Sequence, residues 1–371
     1  MSVKDNFIQH LHTQFPGIPE ETMTSTISDQ LICPHRITLP IAVLADLQSE
    51  IKQLYALRSW SEKNLGAQFE ALGLPKAKNF SVCTSFDFHL VEDHQPKLIE
   101  INTNAAFLAL GLTLYDFWKV KPHTGFTSTK LIEMFREEAR VLGLQDLSIA
   151  IMDEKPEVQR LFIEFLVYQQ YFAQAGVACS ILDSANASEL KPGTLVYNRY
   201  TDFYLREPQS AQIKAMYVDG KIHLSPSPWE YFLLGDKQRL SDWQKQSELP
   251  IPKSLLKIYD LAEADKEQIW AERKKLFFKP KASFGSKQAY NGASVSKRIF
   301  EEAFTQGFVA QEYAQPAEVD VLQDGANLRM KYDLRCYTYK DELQLVIARL
   351  YQGQTTNLKT TGGGFAIVDF I

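Results

Sequence analysis

Cysteine is scarce. Cys33, Cys83, Cys179 and Cys336 stand far apart, and no CxxC pair occurs. Such spacing argues against a zinc cluster or a disulfide framework and suits a reducing compartment. Long apolar runs are also lacking. No stretch approaches the ~20 apolar residues of a membrane span, and residues 1–14 hold no apolar core of the signal-peptide kind. A cytoplasmic protein with no membrane partner is expected. Positive charge is not in excess: 40 Lys and Arg face 45 Asp and Glu, a net charge of −5. Nucleic acid is therefore not an expected partner. Internal repeats and low-complexity runs are absent as well. What remains is the composition of a packed chain. Its 371 residues are 45% apolar and 23% charged, which excludes disorder as the main state. That length accommodates two or three units of ~100–200 residues each, and aromatic residues at 12% fit large mixed cores.

The first 75 residues read as mainly helical. Ile41, Leu44, Leu47, Ile51, Leu54 and Leu57 recur at helical spacing within Ile41–Leu72, whereas Pro16, Pro19 and Pro34 break the preceding stretch. Phe80–Val91 and Lys97–Asn102 read as strands around a polar turn, a hairpin that brings Asp87 towards Glu100. Alternation puts Glu100 and Asn102 on one face. Leu147–Met152, Val158–Ala175 and Val177–Leu182 form a strand–helix–strand pattern, the unit of a parallel sheet, and Thr194–Arg199 adds a strand. After Ser225-Pro226-Ser227-Pro228 come a helical stretch over Trp229–Gln244, a strand over Leu276–Lys281 and a helix over Ser294–Phe304. A strand over Phe308–Tyr313 follows, then a hairpin of Lys331–Tyr339 with Glu342–Tyr351. Gly362-Gly363-Gly364 reads as a flexible loop ahead of Phe365–Phe370.

Several residues could carry chemistry. Lys279 opens Lys-Pro-Lys-Ala-Ser-Phe-Gly-Ser-Lys, where an apolar strand enters a small-residue loop. Such a segment can set an ammonium and backbone N–H groups against phosphates, with Lys279, Lys281, Ser283 and Gly285 as its candidates. It is not the GxxxxGK[ST] loop, and a surface turn is the alternative. Gln311, Glu312 and Tyr313 end a strand about thirty residues on and could meet an adenine edge and a ribose. Lys237 follows Leu234-Gly235-Asp236; alone it would read as a solvated lysine. Arg335 and Arg349 lie on the paired strands of the last hairpin and could neutralise a phosphoryl group or clamp a carboxylate; exposed strand arginines are the alternative, less natural for Arg349 inside an apolar strand. Glu100 and Asn102, two oxygen ligands on one strand face, suit a hard cation such as Mg²⁺; a polar edge strand is the alternative. Asp87, on the neighbouring strand, is a candidate third ligand. Arg199 follows Leu195-Val196-Tyr197 at a strand end, where α/β folds gather ligands. It suits a carboxylate, with Asp202 available for an ammonium group; an Arg–Asp surface pair is the alternative.

Taken in order, these segments resemble the ATP-grasp superfamily, and within it the circularly permuted, eukaryotic-type glutathione synthetase branch. The resemblance runs discontinuously from about residue 80 to the C-terminus. It rests on Ser85-Phe86-Asp87-Phe88 before Ile99-Glu100-Ile101-Asn102-Thr103, and on Val196-Tyr197-Asn198-Arg199-Tyr200 with the following Thr201–Tyr204. Leu233-Leu234-Gly235-Asp236-Lys237, Phe278-Lys279-Pro280, Leu358-Lys359-Thr360 and Gly362-Gly363-Gly364-Phe365 complete it. Three positions depart from the family's pattern: Ser283 stands at a third metal ligand, Ser85 at a substrate arginine and Lys359 at a late arginine.

The resemblance implies an ATP- and Mg²⁺-dependent carboxylate–amine ligase that works through an acyl phosphate on an amino acid or short peptide. Lys237 and Lys279 would hold phosphates, Glu100 and Asn102 the magnesium. Arg335 or Arg349 would stabilise developing charge, Arg199 would bind the substrate carboxylate, and the loop around Gly363 would close over the site. Two alternatives are a nucleotide-binding pseudoenzyme or regulator and an ATP-dependent modifier of a protein or peptide terminus. A homodimer is compatible with these readings. The expected fold is α/β with α+β character: an N-terminal helical layer (1–78), a metal-carrying hairpin with helices (79–145), a small parallel-sheet substrate domain (146–228) and an ATP-grasp region with a glycine-rich lid (229–371).

Overall fold

The computed structural model describes residues 2–281, 289–323 and 325–371, and the fold is mixed α/β. The largest sheet joins β1 (Ile37–Leu39), β2 (Thr84–Leu90), β3 (Pro96–Asn102), β12 (Ala317–Gln323), β13 (Ala326–Tyr339), β14 (Glu342–Tyr351) and β15 (Gly364–Phe370). Its order is β1-β15-β14-β13-β2-β3, with β12 also paired to β13. Residues from the stretches 79–145 and 229–371 thus share one layer. A parallel sheet, β5-β4-β6-β7, is built from β4 (Ser148–Asp153), β5 (Ala178–Asp183), β6 (Thr194–Asn198) and β7 (Ile222–Ser225). The third sheet, β10-β9-β11-β8, is antiparallel and uses β8 (Ile258–Asp260), β9 (Leu276–Pro280), β10 (Tyr290–Asn291) and β11 (Phe308–Glu312).

The large sheet is apolar on both faces because helices cover both. Along β14, Val346, Ala348 and Leu350 face a core with Leu47, Ile51 and Leu54 of the helix Ile41–Asn64. Leu345 and Ile347 point the other way, into a core shared with Leu110 and Leu114 of the helix Leu108–Phe117. That second face also packs against Ile149, Ile151 and Tyr197 of the parallel sheet. Two-residue alternation continues it through Arg349 on β14 and through Tyr337, Arg335 and Asp333 on β13. The apolar face therefore ends in a charged patch.

Several boundaries differ from those expected from sequence. The long helix stops at Asn64, and Gly66–Glu70 forms a separate short turn. Val158–Arg160 lies outside the helix, which spans Phe162–Gln174. Trp229–Gln244 is not one helix: a short helical turn, Pro228–Glu230, leads into a π-helical turn, Tyr231–Gly235, and a second helix starts at Gln238. Gly235 is required at that turn by crowding. A Cβ there would lie 2.7 Å from the Tyr231 ring. Gly364 already belongs to β15.

Candidate active site

The three sheets meet at one cleft with a cavity volume of about 590 Å³. The large sheet contributes Asp87, Glu100, Asn102, Asp333, Arg335 and Arg349; the antiparallel sheet contributes Lys279, Gln311 and Glu312. The parallel sheet adds Asp153 and, directly after β6, Arg199. Lys237 and Tyr313 complete the gathering of residues expected from sequence.

Register accounts for the first group. Across the large sheet Ser85 pairs with Asn102, Asp87 with Glu100, Arg335 with Asp87, and Asp333 with Arg349. Directly opposed side chains sit ~5 Å apart at Cβ, close enough for charges to bind each other. Arg335 donates to Asp87 through Nε (3.0 Å) and Nη2 (2.7 Å). Arg349 Nη2 donates to Asp87 Oδ2 at 2.9 Å and to Asp333 Oδ2 at 3.0 Å, and its Nε donates to Asp333 Oδ1 at 2.7 Å. Ser85 Oγ and Asn102 Nδ2 also donate to Asp87, at 3.0 and 3.2 Å. Burial would raise the Asp87 pKa, but the two guanidiniums outweigh it and hold the carboxyl down at about 2. Both carboxylate oxygens are thereby taken by donors. Asp87 is an anchor for Arg335 and Arg349 rather than the third metal ligand expected from sequence.

A second group surrounds Glu100. Lys237 Nζ lies 3.3 Å from Glu100 Oε1. Lys279 Nζ donates to the Ile99 carbonyl and to Gln311 Oε1, both at 2.8 Å, while Gln311 Nε2 donates to the Leu98 carbonyl at 3.0 Å. Gln311 thus braces Lys279 against β3. Burial lowers the Lys279 pKa to about 8, opposed by Glu100 and reinforced by the charge of Lys237. Glu100 is held below the usual carboxylate range against its burial, first by Lys237 and then by Lys279. The Glu100 carboxylate and the Asn102 amide oxygen are oxygen donors of the kind a hard cation takes. Among the described residues no cluster of three His, Cys, Asp or Glu side chains could hold a metal by itself.

Other expected residues lie elsewhere. Lys281 is ion-paired with Asp260 at 2.6 Å and is not part of the cleft lining. Gly363 is buried, its N–H donating to the Thr360 carbonyl, and the neighbouring Gly362 carbonyl accepts from Cys33 Sγ. The glycines form the packed root of β15. The segment that lines the cleft is Gln354–Leu358, with Thr356 Oγ1 donating to Asp333. Ser283 and Gly285 lie outside the described residues. Asp202 accepts from Glu207 N (2.8 Å) and Ser210 Oγ (2.6 Å) and does not line the cleft.

Sequence reasoning missed Asp153, Asp333 and Gln354–Leu358. The first two carried a readable signal. Asp153 ends an apolar parallel strand, and Asp333 shares a strand face with Arg335.

No protein-family model matches the chain, and no curated protein matches it. Among solved structures it is similar to a candidate gamma-glutamylcysteine synthetase from Methylobacillus flagellatus KT, with a TM-score of 0.43 and 10% identity over 88% of this chain and 86% of that one. It is also similar to the ATP-grasp ligase PsnB complexed with minimal precursor, Mg and ADP, with a TM-score of 0.30 and 11% identity over 60% of this chain and 88% of that one. PsnB with precursor peptide PsnA2 and AMPPNP gives a TM-score of 0.28 at 14% identity, over the same shares of the two chains. At these scores the likeness assigns neither an activity nor a substrate to this chain.

Proposed function

We propose that the protein is an ATP-dependent carboxylate–amine ligase of ATP-grasp type, acting on an amino acid or short peptide. The observation that carries this reading is the convergence of Lys237, Lys279 and Glu100 beside the Arg335–Arg349 patch in one cleft. Mg·ATP would supply the phosphoryl group that turns a carboxylate into an acyl phosphate, with ADP as the leaving group; an amine would then attack the acyl carbon and displace phosphate to give an amide. Such chemistry asks the protein for positioning and charge neutralisation more than for covalent help. Lys237 and Lys279 hold phosphate oxygens, and Lys279 becomes more firmly protonated as they arrive. Glu100 and Asn102 would hold the magnesium. Arg335 and Arg349, fixed by Asp87 and Asp333, would present rigidly held N–H donors to developing negative charge. Gln354–Leu358 shields the site from water, to which an acyl phosphate would otherwise be lost. Glu312, the last residue of β11, and Tyr313 after it line the same cleft and would meet the nucleoside.

The test is ADP formation with pools of amino acids and dipeptides, followed by mass spectrometry of the product. An amide whose appearance depends on ATP and an amine is the expected result. Glu100→Gln should lower ADP formation by orders of magnitude with the fold intact. ADP released at the same rate with or without any carboxylate and amine would contradict a ligase. The sparse acidic ligand set around Glu100 favours one second reading, a nucleotide-binding regulator without turnover. It requires nucleotide binding with no ADP release under any pool.

A further inference from the structure

The far end of the cleft, at the parallel sheet, holds two opposite charges that do not neutralise each other. The Arg199 N–H donates to the Met152 carbonyl at 2.8 Å, so Arg199 and Asp153 sit side by side at the C-terminal ends of β6 and β4. Both line the cavity. Yet Arg199 Nε and Nη1 are buried without a hydrogen-bond partner. Among the described residues, no ion pair joins Arg199 or Asp153 to another side chain. Asp153 Oδ1 accepts the Glu154 N–H at 2.8 Å, and among the described residues no side chain donates to the carboxylate.

Buried polar groups are ordinarily satisfied, and an unsatisfied one in a cavity calls for an explanation. Adjacent opposite charges would ordinarily supply it for each other. Here the Arg199 side chain instead lies by the Tyr197 ring, its guanidinium carbon 5.7 Å from the ring centroid. Glu164, another acidic group near enough to act electrostatically on Arg199, is spent on the Phe107 and Ala109 N–H groups at 2.7 and 3.1 Å. The pocket therefore keeps a fork of donors and an acidic acceptor facing one space. A simple anion would satisfy only Arg199, and a simple cation only Asp153.

We infer that Asp153 is a specificity-determining residue of this cleft, taking the ammonium group of a ligand whose carboxylate lies on Arg199. The ligand class is an α-amino acid, or a peptide that presents such a head. Neighbouring strands run about 4.8 Å apart, so a ligand meeting both strand ends must carry its two charges close together. This inference rests on the proposed amino-acid or peptide ligase reading, but it concerns binding alone and needs no nucleotide. It gives Asp153 the task that the sequence suggested for Asp202, whose carboxylate is committed to its own turn.

Isothermal calorimetry without nucleotide tests it. The probes are glycine, L-alanine, L-glutamate and glycylglycine, each beside its amine-free counterpart (acetate, propionate, glutarate, N-acetylglycine) and a carboxylate-free one (methylamine, ethylamine, 4-aminobutyramide, glycinamide). At least one zwitterion should bind at least tenfold more tightly than both of its counterparts. Asp153→Asn keeps the Oδ1 that accepts the Glu154 N–H, so the fold should persist. It should erase the preference over the amine-free probe and spare affinity for that probe. Arg199→Lys retains charge without the fork and should weaken every carboxylate probe. Asp153→Ser serves as the second variant and should act like Asp153→Asn. If no zwitterion outbinds its counterparts, or the Asp153 variants keep the full preference, the inference is overturned. Failure of the ligase reading appears separately, as normal zwitterion binding without ATP-dependent amide formation.

Discussion

Asp87 and Asp153 are both aspartates in the same cleft, yet their surroundings push them in opposite directions. Asp87 sits among two guanidiniums, a hydroxyl and an amide, and its carboxyl is held at about 2. Asp153 is raised to about 6 by burial, which the nearby Arg199 only partly offsets. The difference separates scaffold from reception site. Where charges satisfy one another, as across β2, β13 and β14, they fix a surface in place. Where they are left unsatisfied, binding energy is reserved for a ligand, at a cost to the stability of the empty protein.

The largest expected effect comes from breaking the satisfied cluster. Asp87→Asn leaves two largely buried guanidiniums short of charge and should destabilise the fold by ~3–5 kcal/mol in urea unfolding. The pH dependence has a definite sign. The Asp87 pKa is depressed from 3.8 to about 2, so its contribution is present above pH 3.8 and is lost as pH falls through 2. A loss below about 1 kcal/mol would mean that the cluster is no scaffold.

Asp153→Asn should shift stability the other way. The carboxyl is raised from 3.8 to about 6, so the native state holds its proton more tightly than the unfolded chain does. The resulting penalty grows as pH rises through that interval and is complete above pH 6. The substitution should stabilise the protein by ~1–3 kcal/mol at pH 8 and by little at pH 3.5. A loss of stability at pH 8 would contradict the contrast between the two aspartates.

Thr356→Val sharpens the contrast at the cleft edge. It removes the hydroxyl that ties Gln354–Leu358 to Asp333 and should cost ~0.5–1.5 kcal/mol, with faster amide exchange across residues 352–361. Unchanged exchange would separate this segment from the charged cluster.

Much of this site was legible in the sequence because strand alternation is simple. Glu100 with Asn102, and Arg349 interrupting an apolar strand, required only period two and a hairpin. The pairing of Asp87 with Arg335 was not legible, since it joins strands 248 residues apart. Nothing local says which carboxylate will meet which guanidinium, so Asp87 read as a metal ligand. The glycine triplet misled for a related reason. Glycine marks either freedom or close approach, and here it marks close approach. A Cβ on Gly364 would lie 2.6 Å from the Gln30 carbonyl oxygen. Helical spacing likewise could not reveal the π-helical turn at Tyr231–Gly235, which follows from packing and leads the chain to Lys237.

The central claim is that Lys279 and Lys237 hold the phosphates of a nucleotide beside Glu100. The most direct measurement is calorimetric titration of the full chain with Mg·ATP or a non-hydrolysable analogue, repeated on Lys279→Met. A charge-assisted hydrogen bond contributes ~1.5–3 kcal/mol, so the variant should bind roughly 10- to 100-fold more weakly while unfolding at a similar urea concentration. Equal affinity in the wild type and a folded Lys279→Met variant, or no Mg·ATP binding at all, would contradict the account.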